Sequence, residues 1–331
     1  MDAIPISETP DAPPRLLAVI DTEEEFDWGG GFSRAHTGVS AMQSVGRFQE
    51  IFDRHGIVPT YVIDYPVASK EEGFRDLKAF ADDGRALIGT HLHPWVSPPY
   101  DEEVGPFNSY PGNLPPELER QKLTALTEII EANLGARPTI YKAGRYGIGA
   151  HTPGILSDLG YRVDLSFCPG FDYRSDGGPD FTRFSNAPQR MGENGAILAL
   201  PRTGGFTGFL KGLAPTLYPL AASPLGVGFR LPGILSRLGA LDRIGLSPEG
   251  YQLADLKKLT RSLLGEGVRT FSFCLHSPSA APGFTPFVRD REELSRFLQR
   301  MDDYFSFFLG ELGGAVSTPL ELHRQFIAET P

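Results

Sequence analysis

The segment Arg15–Trp28, RLLAVIDTEEEFDW, changes character halfway along. Leu16–Ile20 is apolar without alternation, the pattern of a strand covered on both faces, as in a parallel sheet flanked by helices. Acids follow at once, so the polar groups sit at the strand's C-terminal end. Side chains two apart on an extended chain share a face, which puts the Asp21 and Glu23 carboxylates side by side. Glu24 and Glu25 read as solvated surface, the usual place of an acidic run. Ile88–Trp95, IGTHLHPW, repeats the arrangement, with His91 and His93 at the same two-residue spacing after an apolar start. Each run closes on one of the chain's two tryptophans, Trp28 and Trp95.

Outward from these runs, helical and extended patterns alternate. Met42, Val45, Phe48, Ile51 and Phe52 fall on one face of a helix that Gly56 ends. Val58–Val67 is the next strand. Ser69–Gly84 has a serine cap, an acidic first turn and a glycine stop, and Pro115–Ala136 is a helix opening on proline and closing on glycine. Strand-like Thr139–Gly147, Tyr161–Phe167, Ala196–Thr203 and Arg269–Ser277 are interleaved with helical His151–Gly160, Leu253–Gly267 and Asp290–Gly314. Ala315–Leu322 reads as a last strand. The alternation predicts an α/β fold with a parallel sheet. An α/β barrel gathers its chemistry at strand C-termini, where all these polar groups fall. No G-x-G-x-x-G run follows the first strand, which disfavours a dinucleotide-binding fold. The reading is a disordered tail over 1–14 and a single domain over 15–325. An insertion at about 204–250, rich in Gly, Pro and Leu, is expected to cap the barrel mouth.

Hydrophobic residues at 40% and charged residues at 22% describe an ordinary globular chain. Its net charge of −10 argues against general nucleic-acid binding and leaves a neutral sugar open. Cys168 and Cys274 form no CxxC pair, so no zinc ribbon is implied, and two free thiols suit a reducing compartment. The N-terminus lacks the basic start and apolar centre of a signal peptide, so a cytoplasmic location is expected. Gly212–Phe229 is uncharged and about long enough to cross a bilayer, which takes roughly 18 apolar residues. Its three prolines and three glycines argue against a stable spanning helix, and contact with a membrane surface is the lesser reading.

Two imidazoles and a carboxylate make a three-ligand set with a position left for water, the composition of catalytic zinc sites and acceptable to other first-row divalent ions. The second carboxylate is then free to act as a base. His276 ends an aromatic strand and is a candidate acid; the alternative is a strand-end histidine bonded to backbone. Tyr141–Gly149, YKAGRYGIG, offers Lys142 and Arg145 in a glycine-rich turn whose N–H groups can approach an oxyanion. It reads equally as an ordinary strand-to-helix loop with surface cations.

Together, DTEEEFDW, GTHLHPW, YKAGRYG, LHSPS and PGFTPFVRD resemble the motifs of the polysaccharide deacetylase family (the NodB homology domain, carbohydrate esterase family 4). Within it, the chain is most similar to the WalW-like branch associated with lipopolysaccharide biosynthesis. The resemblance runs from about Leu16 to about Leu322. It implies a distorted (β/α)7-type barrel and a metal-dependent hydrolase of carbon–nitrogen bonds. The implied reaction removes N-acetyl groups from a sugar of a cell-surface polysaccharide, a lipopolysaccharide or their precursor. Carried over, Asp21 is the base, and Glu23, His91 and His93 hold a divalent metal ion, zinc foremost. His276 is the acid, tuned by Asp164 of YRVDLSF. Lys142 contacts Asp21, and an N–H of Arg145 or Tyr146 serves the oxyanion. Trp28 and Trp95 form a wall for the sugar or pack at the barrel rim. A lipid-linked substrate resting against the insertion is the implied peripheral membrane contact.

The chain departs from the family pattern in three places. It has Asp-Thr-Glu where adjacent aspartates are common, and one residue between the histidines where three are common. Lys142 and Gly144 stand where arginine and proline are common. Two other readings use the same scaffold: hydrolysis of a non-sugar linear or cyclic amide, and a catalytically silent carbohydrate-binding relative.

Overall fold

The computed structural model describes residues 3–328. Seven parallel strands form its centre: β1 (Arg15–Thr22), β2 (Thr60–Ile63), β3 (Leu87–Leu92), β4 (Ile140–Ala143), β5 (Val163–Asp164), β6 (Ile197–Ala199) and β7 (Thr270–His276). They lie in the order β6–β5–β4–β3–β2–β1–β7, so the sheet winds in chain order and the last strand returns to the first. This is the expected α/β, distorted (β/α)7-type barrel. Register pairs His276 with Asp21 across β7 and β1, and His91 with Lys142 across β3 and β4. The strands do not pair between β6 and β7. The chain after β6 spans that gap: Leu246 N–H donates to the Thr203 carbonyl (2.8 Å), and Cys274 N–H on β7 donates to the Leu246 carbonyl (3.0 Å).

Helices α1 (Gly46–Arg54), α2 (Glu71–Asp82), α3 (Pro116–Leu134), α4 (Thr152–Asp158), α5 (Leu253–Gly265) and α6 (Arg291–Ser306) surround the sheet. The apolar stripe Met42, Val45, Phe48, Ile51, Phe52 is buried throughout. Phe48 and Phe52 of α1 meet Phe297 and Phe305 of α6 at ring separations of 5.9 and 5.7 Å. Each such phenylalanine contributes about 1.5–3 kcal/mol by leaving water. Gly135, at φ 86°, ends α3 in the left-handed conformation that glycine adopts without strain. Asp290 starts α6 by accepting from Glu293 N–H.

Ser69 does not cap α2: Lys70 holds that position, and Ser69 ends the preceding short helix with its Oγ donating to the Pro66 carbonyl. The structure differs from the sequence reading at four further places. The strand expected over Val58–Val67 stops at Ile63, because the Asp64 carboxylate accepts from Val67 N–H and caps a short helix, Tyr65–Ser69. Of Ala315–Leu322 only Ala315–Val316 is extended. A capping box between Thr318 and Glu321, with Pro319 first in the helix, turns the remainder helical. The segment read as a disordered tail is tied down. Ile4 and Pro5 pair with Arg190 and Gln189, and the Glu8 carboxylate accepts from the N–H groups of Arg269 and Thr270; Met1 and Asp2 lie outside the described residues.

The fourth difference is the insertion, which does not cap the mouth. Gly204–Thr207 and Asp242–Gly245 pair as an antiparallel ribbon. Beyond it, Lys211 reaches Ser262 Oγ (2.8 Å) and Glu266 Oε1 (2.5 Å) at the C-terminal end of α5. That end leads into the start of β7, so the tip of the insertion lies at the opposite end of the barrel from the strand C-termini. Among the described residues, no helix is long and apolar enough to cross a membrane.

Candidate active site

A cavity of about 370 Å³ opens where β1, β3, β4 and β7 end, lined by Asp21, Glu23, His91, His93, Lys142 and His276 with an aromatic rim. The strand ends bring these side chains together because alternate residues at each end face inward.

Asp21 is the last inward-facing residue of β1. Lys142, on β4, donates to both of its oxygens, at 2.6 and 2.7 Å, and both side chains are buried. Burial by itself would raise the Asp21 carboxyl. Lys142, His91 and His276 more than offset it and bring the group down to about 2, so it is ionised at neutral pH. The same pairing holds Lys142 above the usual lysine range against its own burial.

Glu23 lies just past β1. Its Oε2 is 3.5 Å from His91 Nε2 and 3.5 Å from His93 Nε2. The far side of each imidazole has its own partner. His91 Nδ1 donates to the Lys142 carbonyl (3.2 Å), and His93 Nδ1 lies 2.8 Å from Glu24 Oε2. A carbonyl can only accept, so His91 carries its proton on Nδ1 and turns the Nε2 lone pair toward Glu23; Glu24, whose carboxyl is pushed up by burial, sets His93 the same way in its ionised form. Burial holds His91 well below the usual imidazole range and His93 below it, and pushes the Glu23 carboxyl up to about 8. Three buried donors, all within 4.8 Å of one another, thus aim unprotonated nitrogens and a costly carboxylate at one point. These residues fit a divalent cation, in donor type and in the outer partners that orient them. The single residue between the histidines does not prevent it, since a strand presents His91 and His93 on one face.

Glu24 departs from the sequence reading. It is fully buried, accepts from Trp95 Nε1 (2.8 Å) with its other oxygen, and donates its N–H to Asp64 Oδ2 (2.6 Å). Trp95 stacks on the His93 ring at 4.3 Å. It is thus both a wall of the cavity and part of the support behind His93. Glu25 accepts from Ser40 Oγ and Ala41 N–H, which starts the turn into α1.

His276, at the end of β7, places Nε2 3.8 Å from Asp21 Oδ2. Its Nδ1 is 2.6 Å from Glu249 Oε2, and its backbone N–H donates to Glu249 Oε1 at 3.0 Å. Burial lowers its pKa, but Glu249, Glu23 and Asp21 raise it overall to about 10. Trp28, half exposed, sets its ring edge-on to His276 at 5.6 Å. Asp164 is not the partner of His276. It lies on β5, with β6 and the Leu246 segment between it and β7, and binds Ser166 N–H (3.1 Å) and Oγ (2.6 Å). Ser166 Oγ in turn accepts from Ala143 N–H (2.8 Å), so Asp164 steadies the turn after β4. Burial raises its carboxyl to about 7, with Ser166 working against that.

That turn is strained in a defined way. Arg145 and Tyr146 have φ of 53° and 59°, left-handed values uncommon for residues with a side chain. A Cβ on Gly144 would lie 2.5 Å from the Leu92 carbonyl and 2.6 Å from His93 Cδ2, so the close approach of β4 to β3 requires glycine. Arg145 lines the cavity at its rim, over the Phe32 ring (5.0 Å), and is fixed there by Asp176 (2.5 Å) and Ser109 Oγ (2.7 Å). Tyr146 stacks on Tyr173 at 5.8 Å and lines the cavity. Glu249 and Tyr173 have no signal in the sequence: each lies in an irregular loop without a motif.

No family model matches the sequence, and no curated protein matches it. Among solved structures, a proposed polysaccharide deacetylase from Mycobacterium smegmatis superposes with a TM-score of 0.57 at 14% identity, over 100% of this chain and 96% of that one. The peptidoglycan deacetylase PdaC from Bacillus subtilis superposes at 0.43 with 10% identity, over 97% and 95%. What the chain shares with the mycobacterial protein, over its whole length, is the fold.

Proposed function

We propose that this chain is a metal-dependent hydrolase that removes N-acetyl groups from a sugar of a cell-surface polysaccharide, a lipopolysaccharide or their precursor. The observation that carries the reading is one cavity holding the Glu23–His91–His93 donor set, Asp21 clamped by Lys142, and His276 held by Glu249. The barrel shared with the mycobacterial structure and the motif resemblance support it. Glu23, His91 and His93 would hold the cation, zinc in our reading, which when bound supplies Lewis-acid polarisation of water and of the amide carbonyl.

The protein groups then divide the work. Asp21 takes the proton of the attacking water; Lys142 keeps it ionised and fixes both oxygens. The carbonyl oxygen gains charge as the new C–O bond forms, and the N–H of Arg145 or Tyr146 stabilises it, the Gly147 N–H being held by the Gly144 carbonyl (2.9 Å). The C–N bond breaks as His276 protonates the nitrogen, since an amine anion leaves too poorly otherwise. Acetate and the free amino sugar result. Trp28 and Trp95, with Tyr146, offer apolar faces to the sugar. The test is incubation of the purified protein with N-acetylated nucleotide-sugars, lipid-linked sugars and oligosaccharides, measuring acetate and bound metal together. Acetate from a sugar, lost with Asp21→Asn, supports the reading. Acetate from none, or turnover only of simple or cyclic amides, refutes it.

A further inference from the structure

The insertion has a property unrelated to the cavity. Between Thr203 and Leu241 the chain carries Lys211, Arg230 and Arg237 and no acidic residue, within a protein of net charge −10. The same stretch displays large apolar side chains to solvent. Phe209 and Leu225 are each 77% exposed, Phe229 73% and Leu238 69%, and Leu213, Leu220, Val227 and Ile234 are also exposed. Outside the insertion, exposed large apolar residues are few and scattered among the described residues. A concentration of this kind on a soluble face marks a surface that meets an apolar phase or a partner.

The backbone carrying these side chains is three short helices, Ala214–Ala221, Pro224–Gly228 and Leu231–Arg237, broken by prolines and glycines. None is long enough to enter a bilayer beyond its interface. Lys211 is neutralised by Glu266, but Arg230 and Arg237 are exposed, and neither pairs with a carboxylate among the described residues. Apolar tips flanked by unpaired cations match the interface of an anionic bilayer, where acyl chains accept the former and phosphates the latter. A second copy of this chain is a poorer match, since two such faces would bring like charges together. The rest of the acidic protein is repelled by an anionic membrane, which limits docking to this face.

We infer that the 208–241 tip of the insertion is a docking surface for anionic lipid bilayers. The tip lies at the C-terminal end of α5, so docking holds the protein with its cavity open to water. This inference does not depend on the chemistry proposed for the cavity.

Flotation with vesicles of phosphatidylcholine alone or with phosphatidylglycerol tests it. The protein should bind the phosphatidylglycerol vesicles and be released by high salt. Leu225→Ser, Phe229→Ser and Leu238→Ser together should weaken binding by ~10-fold or more, because each loses an apolar contact with the interface. Arg230→Gln with Arg237→Gln should weaken it by ~10-fold on anionic vesicles only. All five side chains are exposed, and circular dichroism and melting of the variants check that the fold is kept. If the serine variant does not fold, Phe229→Cys carrying an environment-sensitive fluorophore replaces it, with a blue shift on anionic vesicles as the expected result; Cys168 and Cys274 are buried and stay unlabelled. Failure of the natural protein to bind anionic vesicles overturns the inference, as does undiminished binding by the serine variant. So does a concentration-dependent dimer that the serine variant dissociates without any vesicle binding, which would make the occupant a second copy.

Discussion

Replacing Glu249 with glutamine isolates the residue that holds the proposed acid. The carboxylate lies 2.6 Å from His276 Nδ1 and also receives His276 N–H and Ser279 Oγ (2.7 Å), so the amide keeps the shape and loses the charge; with its oxygen on Nδ1–H, its NH2 faces the His276 N–H. Two unit charges about 4 Å apart at an effective dielectric near 20 interact by about 4 kcal/mol. That converts to about 3 pH units at 1.36 kcal/mol each, and the amide oxygen restores part by accepting from the same N–H. The expected fall in the His276 pKa is therefore about 1–3 units, from about 10. The sign follows from the role. Imidazolium is the donor, so rate is full below the pKa and lost as pH rises through it. Glu249→Gln should move the alkaline limb of kcat/KM downward by that amount, with bound metal unchanged. A cation held by Glu23 lowers the limb in both proteins, so the difference between them is the quantity measured. Asp164→Asn, whose carboxylate binds Ser166 instead, should leave the limb in place. An active Glu249→Gln protein with an unmoved limb would refute the assignment of His276 as acid.

His93→Ala should lose bound metal while keeping its circular dichroism, and Glu24→Gln, which weakens the hold on His93 Nδ1, should lower metal affinity by roughly 10–100-fold; full occupancy in His93→Ala would remove it from the ligand set. Asp21→Asn should cut kcat by roughly 10²–10⁴-fold with metal content retained; near-normal turnover would send the base role elsewhere. Burial, partly offset by the Thr152 hydroxyl, raises the Glu119 carboxyl from 4.5 to about 7. Between those values the folded protein holds a proton that the unfolded chain has released, so this group makes folding stability fall as pH rises, by up to about 3 kcal/mol. Glu119→Gln should remove that dependence, and equal losses of Tm between pH 5 and pH 8 in both proteins would count against it.

What could be read from the chain alone followed from local periodicity. An unbroken apolar run with polar groups at one end gave β1 and its orientation. The two-residue spacings of Asp21 with Glu23 and of His91 with His93 sufficed to place each pair on one face, because that depends only on the geometry of a single strand. The helix of Met42 to Phe52, the acidic first turn and glycine stop of α2 and the glycine end of α3 were equally local. Glu24 was misread because its surroundings are supplied by Asp64, His93 and Trp95, from two other strand ends. Glu249 was invisible and Asp164 stood in for it, since partnership across the barrel depends on which loop returns to β7, and no spacing along the chain encodes that. The insertion went wrong for the same reason. Its composition demanded an apolar surface to meet, but only the antiparallel ribbon leaving β6 decides at which end of the barrel that surface lies.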